Sequence, residues 1–213
     1  MTRPGWKVFH VAIAVCVLAP AGVGPASAAD VSFGVTAGYF QPVGDWAQHR
    51  YAPGVDQFSG GIALGADFEW RVVPRLGLAV NGGYIRLSTG EWEDYAGAQG
   101  DAVDASFQMA NFGILLKPYL WSRHGRAFKL ALGVNVFVPD GEETFEGLTY
   151  DYDFLKSQLG YILGLEWAYP LGGTVDLALC ASYLFAPNAV EYADGLSYTL
   201  GGAILTAGAR FHF

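Results

Sequence analysis

Three groups of residues in this 213-residue chain have chemistry to offer. The first is a row of charges set in otherwise small or apolar segments: Asp67, Glu69, Arg71, Lys117, Lys129, Glu166, Asp176 and Arg210. A charge in such a setting must meet a counter-charge or water. Four acids against four bases, with Asn81, Asn111 and Asn135 among them, suit either an ion path or a plug that neutralises itself. The plug is the reading adopted.

The second group is acidic. Asp45, Asp56, Glu91, Glu93, Asp94, Asp101, Asp104, Asp140, Glu142, Glu143, Glu146, Asp151, Asp153, Glu191 and Asp194 make up 15 of the 20 acids. They fall between the apolar segments, with only Arg50 and Lys156 as clear bases and with Trp46, Tyr51, Trp92, Tyr95, Phe145, Tyr150, Tyr152 and Phe154 interleaved. Asp140-Gly141-Glu142-Glu143 and Tyr150-Asp151-Tyr152-Asp153 offer oxygen ligands to divalent cations or an adhesive surface. Neither run has the spacing of a defined calcium loop, so a solvated acidic rim is the plainer reading. The third group is a histidine with a serine. His49 beside Ser59, Ser88 or Ser106 would be needed for nucleophilic chemistry, and no motif supports it. The chain is not expected to be an enzyme, and no cofactor or resident metal is expected.

What positions these groups is a period of two. In the closing stretch, Ala203, Leu205, Ala207, Ala209, Phe211 and Phe213 form one row and Gly202, Ile204, Thr206, Gly208, Arg210 and His212 the other. That is a strand with different environments on its two faces. Seven earlier segments alternate likewise: 31–41, 61–71, 75–87, 106–120, 127–138, 158–169 and 174–185. No charge sits mid-strand on the apolar row, whereas the eight charges named first share the other one. Three connections are tight, at 72–74, 121–126 and 170–173; four are long, at 42–60, 88–105, 139–157 and 186–196. Long and short alternate strictly, which places both ends of the barrel chain on the short-turn side.

The composition is 52% hydrophobic and 15% charged, with 29 glycines. Such apolarity without a second long apolar run fits spans built of short alternating strands. The expected fold is all-β: a closed eight-stranded antiparallel up-and-down transmembrane β-barrel over residues 30–213, whose first and last strands pair to leave no edge. Residues 1–29 read as a signal peptide, with Arg3 and Lys7, an apolar Val8–Leu18 core and an Ala26-Ser27-Ala28 cleavage site. After its removal Cys180 is the only cysteine. A net charge of −8 lacks the basic footprint of a nucleic-acid binder. Outward aromatics fall at two levels, Phe33, Trp70, Phe128, Trp167, Tyr169, Phe211 and Phe213 at the short-turn end and Tyr39, Tyr84, Tyr183 and Phe185 at the other, as two membrane interfaces require.

With these features the mature chain resembles the small outer-membrane β-barrel proteins, among them the OmpA transmembrane domain, OmpX, OmpW and the opacity-type proteins. The resemblance implies a Gram-negative outer membrane, Sec export, external long loops and periplasmic termini. It implies that Arg210, Phe211 and Phe213 form the terminal signal read by the insertion machinery. It also implies lipopolysaccharide as a neighbour, with Arg86 able to meet a phosphate, and a monomer whose task is structural, adhesive or a surface interaction through the acidic loops. Two alternatives follow from the same resemblance. One is an OmpW-like conduit or pocket for small hydrophobic solutes, lined by Phe40, Ile85, Leu87, Met109, Phe137, Ile162, Leu184 and Leu200. The other, less favoured, is a lipid A-modifying enzyme using His49. Large side chains filling the space left by small ones is the plainer account of the apolar set.

Overall fold

The computed structural model describes residues 31–47, 58–89, 103–145, 148–151, 155–191 and 197–213. The proposed leader, residues 1–29, lies outside them. The described chain is nine strands and one turn of 3₁₀-helix at Asp45–Ala47. The strands are β1 (Val31–Pro42), β2 (Phe58–Val73), β3 (Leu76–Thr89), β4 (Val103–Arg123), β5 (Arg126–Phe145), β6 (Leu148–Asp151), β7 (Gln158–Gly172), β8 (Val175–Glu191) and β9 (Ser197–His212). Eight of them form the wall. Each pairs antiparallel with its neighbour, β4 joins β5, β5 joins β7, and β9 returns to β1. β1 meets β9 along an unbroken register from Ser32 opposite His212 to Pro42 opposite Gly202. The eight-stranded wall therefore has no edge strand, as a wall in hydrocarbon requires.

The alternation of the sequence becomes inside and outside. Ile62, Leu64, Ile114, Leu116, Val134, Leu163, Leu165, Leu179 and Leu205 face outward and stay exposed. Leu205 keeps 63% of its surface. In water such a continuous apolar belt would be costly. In hydrocarbon it is the surface that costs least, and the wall is that of a transmembrane barrel.

Three features depart from the sequence reading. All three tight connections close to two residues, Pro74-Arg75, His124-Gly125 and Gly173-Thr174. His124 (φ 53°) and Gly125 (φ 76°) both take positive φ, the twist that suits a two-residue hairpin. Strands β4 and β5 run 21 and 20 residues, about twice the length a tilted spanning strand needs. The segment 139–157, expected to be a loop, therefore continues β5 to Phe145 and returns as β6, which pairs with β5 over 142–145. Asp140, Glu142, Glu143 and Asp151 lie on β5 and β6, and Asp104 on the β4 extension beside them, above the apolar belt. Their charge marks where the wall leaves hydrocarbon, not where the strands stop. Finally, a register shift between Tyr119 and Trp121 is a bulge that re-aims the end of β4.

Candidate functional site

Inside the barrel the side chains stack in three layers. The lowest is the charge layer. Lys117 Nζ donates to Asp67 Oδ2 (2.8 Å) and Glu166 Oε2 (2.7 Å). Lys129 Nζ donates to Glu69 Oε2 (2.9 Å) and Glu166 Oε1 (3.0 Å). Arg210 Nη2 donates to Asp67 Oδ1 (3.0 Å), and its Nη1 donates to Ser32 Oγ (2.9 Å) and stands 3.1 Å from Glu69 Oε2. Tyr119 completes the set by donating its hydroxyl to Glu69 Oε1 at 2.6 Å. Three carboxylates thus face three cations, five of the six groups buried and Asp67 keeping 13% of its side-chain surface, and the layer is neutral.

Six of the eight charges expected in this row meet here. The other two do not. Arg71 donates to the Pro74 carbonyl and lies over the Tyr119 ring at 4.4 Å, because it is nearer the short-turn rim than Glu69. Asp176 Oδ2 instead contacts His212 Nε2 at 2.7 Å. Glycines make the layer fit. A Cβ on Gly34 would fall 2.6 Å from Asp67 Oδ1, and one on Gly77 2.6 Å from Glu69 Oε1.

Above the charges is a small chamber of about 120 Å³. Asp67, Lys117 and Glu166 form its floor, Thr36, Asn81, Asn111, Cys180, Ser182 and Thr206 its wall, and Ile85, Ile162 and Ile204 its roof. Asn135 Nδ2 donates to Asn111 Oδ1 at 3.0 Å, while the buried Oδ1 atoms of Asn81 and Asn135 accept no bond from the protein. Polar walls and this volume suit a few ordered waters.

The top layer is apolar, and its side chains pack as space-filling would have them. Phe40, Ile85, Leu87, Met109, Phe137, Leu184 and Leu200 are buried against one another, with Ile162 packed on them. They form a filled plug, not an open apolar cavity. Small residues make the space: a Cβ on Gly202 would strike the Phe40 ring at 2.3 Å and one on Gly160 the Phe137 ring at 2.7 Å. Residues that the alternation does not assign to this layer complete it. The 3₁₀ turn folds Trp46 into the mouth, where its Nε1 donates to Gly201 O at 2.9 Å. Its ring packs on Phe58 and Phe107, centroids 6.3 and 5.3 Å away. The sequence reading places Trp46 among the loop aromatics; an indole followed by a small residue just past a strand end is the available signal.

Outside the barrel, Arg86 is exposed at the long-loop end beside Gln108 and Asp140, which bond to each other at 2.8 Å. Asp56, Glu91, Glu93, Asp94, Asp101, Glu146, Asp153, Asp194 and His49 lie outside the described residues. The His49 expectation therefore falls outside them, whereas of the two runs named for divalent cations 140–143 lies on β5 and 150–151 on β6, and only residues 152–153 are outside. Phe211 faces outward at the closing seam, and Phe213 beyond it donates its backbone N–H to Val31 O at 3.0 Å.

Fold and lumen together define a closed, eight-stranded membrane-spanning barrel, packed among the described residues above and below one small polar chamber. No family model matches the sequence, and no curated protein is similar to it at the level of sequence. Solved structures do share its fold. Neisserial surface protein A is similar at 15% identity, covering 89% of this chain and 100% of that one, with a TM-score of 0.54. A major outer membrane protein from Thermus thermophilus (17% identity, 88% and 100%, TM-score 0.54) and OprG from Pseudomonas aeruginosa (14%, 87% and 96%, 0.54) are similar in the same way. The chain has the fold of small outer-membrane β-barrel proteins.

Proposed function

We propose that the chain is a non-enzymatic outer-membrane protein, exported with its first 29 residues as leader, that works as a closed barrel presenting an acidic, aromatic-rich surface outside the cell. The observation that carries this is the filled lumen. A neutral charge layer and an apolar plug stand in series, so the inside of the barrel offers no route, and what differs from chain to chain in such a scaffold is its long connections. The strand fold supports an outer-membrane setting, and the acidic bias of the connections supports contact with divalent ions among lipopolysaccharide phosphates, or with a basic partner. The insertion machinery, acting on Arg210, Phe211 and Phe213, is the remaining partner. The closed wall leaves no edge strand for a second copy to extend, which supports a monomer.

Planar-bilayer recording tests the closed lumen. The purified barrel is expected to give no conductance steps and no flux of small apolar solutes. Defined steps would sink the plug reading, and apolar flux would restore the conduit.

A further inference from the structure

The bulge at the end of β4 has a chemical result at the short-turn rim. Up to Leu116, even-numbered residues of β4 face outward. After the shift between Tyr119 and Trp121, Trp121 lies opposite Phe128 and Arg123 opposite Arg126. Cross-strand partners share a face, and Phe128 belongs to the outward row. The bulge therefore swings Trp121 and Arg123 to the lipid side. Two guanidinium groups now stand directly across the β4–β5 ladder, an arrangement that like charges disfavour. Neither has a carboxylate partner among the described residues, and both are exposed.

Arg126 is held in place. Its guanidinium lies over the Tyr169 ring at 4.7 Å, and its Nη2 donates to the Tyr169 hydroxyl at 3.4 Å. Apolar side chains flank the pair: Leu120 is 57% exposed and Trp121 46%. A held cation with a second beside it, just beyond an apolar belt, suits an anion that itself carries hydrocarbon.

We propose that Arg123 and Arg126 form a binding site for the phosphate of an anionic glycerophospholipid in the leaflet at the short-turn end, its acyl chains lying against Leu120, Trp121 and Phe128. Arginine suits a phosphate because its planar fork donates two parallel bonds. The exposed apolar flank favours a lipid over a soluble acidic partner, which would leave that flank uncovered. The site rests on the reading of the wall as membrane-spanning, but not on which end faces the cell surface.

The test is lipid selectivity by spin-label spectroscopy in phosphatidylcholine vesicles doped with labelled phosphatidylglycerol. A basic residue at an anionic surface is worth about a fivefold preference. The wild-type chain should select phosphatidylglycerol at low salt and lose that preference at high salt. Arg123→Gln with Arg126→Gln should cut the preference several-fold. Arg123→Lys with Arg126→Lys should keep most of it, and the single Arg123→Gln should fall between, so the outcome survives a double variant that fails to fold. Unchanged selectivity in the folded Gln variants overturns the site. Equal displacement by millimolar inorganic phosphate shows a free-anion site and overturns the lipid assignment, as does displacement by a soluble acidic muropeptide. These measurements use symmetric vesicles, so a conducting lumen or reversed orientation leaves them interpretable.

Discussion

At the scale of single residues, the decisive fact is that three acids and three bases share one layer with almost no solvent. Lys129 and Glu69 are 2% and 1% exposed as a pair 2.9 Å apart. Each also has a second partner: Lys129 reaches Glu166, and Glu69 faces Lys117 and Arg210. Removing one charge leaves a buried excess of the other sign, which costs roughly 3–5 kcal/mol. Removing both leaves Asp67 and Glu166 against Lys117 and Arg210, still neutral. Lys129→Met and Glu69→Met should therefore each destabilise strongly, while the double variant costs far less than their sum. Urea unfolding in phospholipid vesicles, taken as a double-mutant cycle, checks this. Additive losses would mean that the layer is not a coupled unit.

At the scale of elements, the short 3₁₀ turn and the inward faces of the wall strands make a plug of two tiers. Trp46, Phe58 and Phe107 form its outer tier; Phe40, Met109, Phe137, Leu184 and Leu200 continue it inward. The tiers predict different outcomes. Trp46→Ala should cost about 3–5 kcal/mol, as large-to-small changes in packed cores do. Yet it should leave Cys180, on the chamber wall, protected from a charged methanethiosulfonate reagent, because the inner tier still fills the lumen. Truncating Phe40 and Phe137 to Ala as well should speed that modification several-fold. Fast reaction in the single variant would show that Trp46 alone is the seal. Much of this is legible in the sequence. Strict alternation assigns every wall strand and puts Phe40, Phe137 and Lys117 on one face. What alternation cannot encode is a slip in its own period. The Pro118-Tyr119-Leu120-Trp121 run hides a bulge, so Arg123 and Arg126 read as mere turn residues. Nor does it report a side chain folded back from a connection, which is why Trp46 reads as display. Asp140 and Glu142 look like loop residues because strand ends are inferred from apolarity, although ladder bonds persist beyond the hydrocarbon.

At the scale of the whole molecule, the two ends of the barrel are unlike, and that difference sets an orientation that can be measured. At one end every connection is two residues, too short and too tightly bonded for a protease to bind as an extended chain. At the other, 15 and 13 residues separate β1 from β2 and β3 from β4, enough to enter an active site once they leave the wall. The charge is unequal as well: the acids collect at the long end, while Arg75, Arg123 and Arg126 sit at the short one. If the long end is outside the cell, proteinase K added to intact Gram-negative cells carrying the protein should cut between residues 43 and 57 or between 90 and 102, leaving the wall strands as resistant fragments. Permeabilising the outer membrane should add no new sites within residues 58–213, because among the described residues the connections of the periplasmic side are only two-residue turns. Cleavage that appears only after permeabilisation would reverse the orientation. The acidic surface would then face the periplasm, and Arg123 and Arg126 would meet the phosphates of lipopolysaccharide instead of those of the inner leaflet.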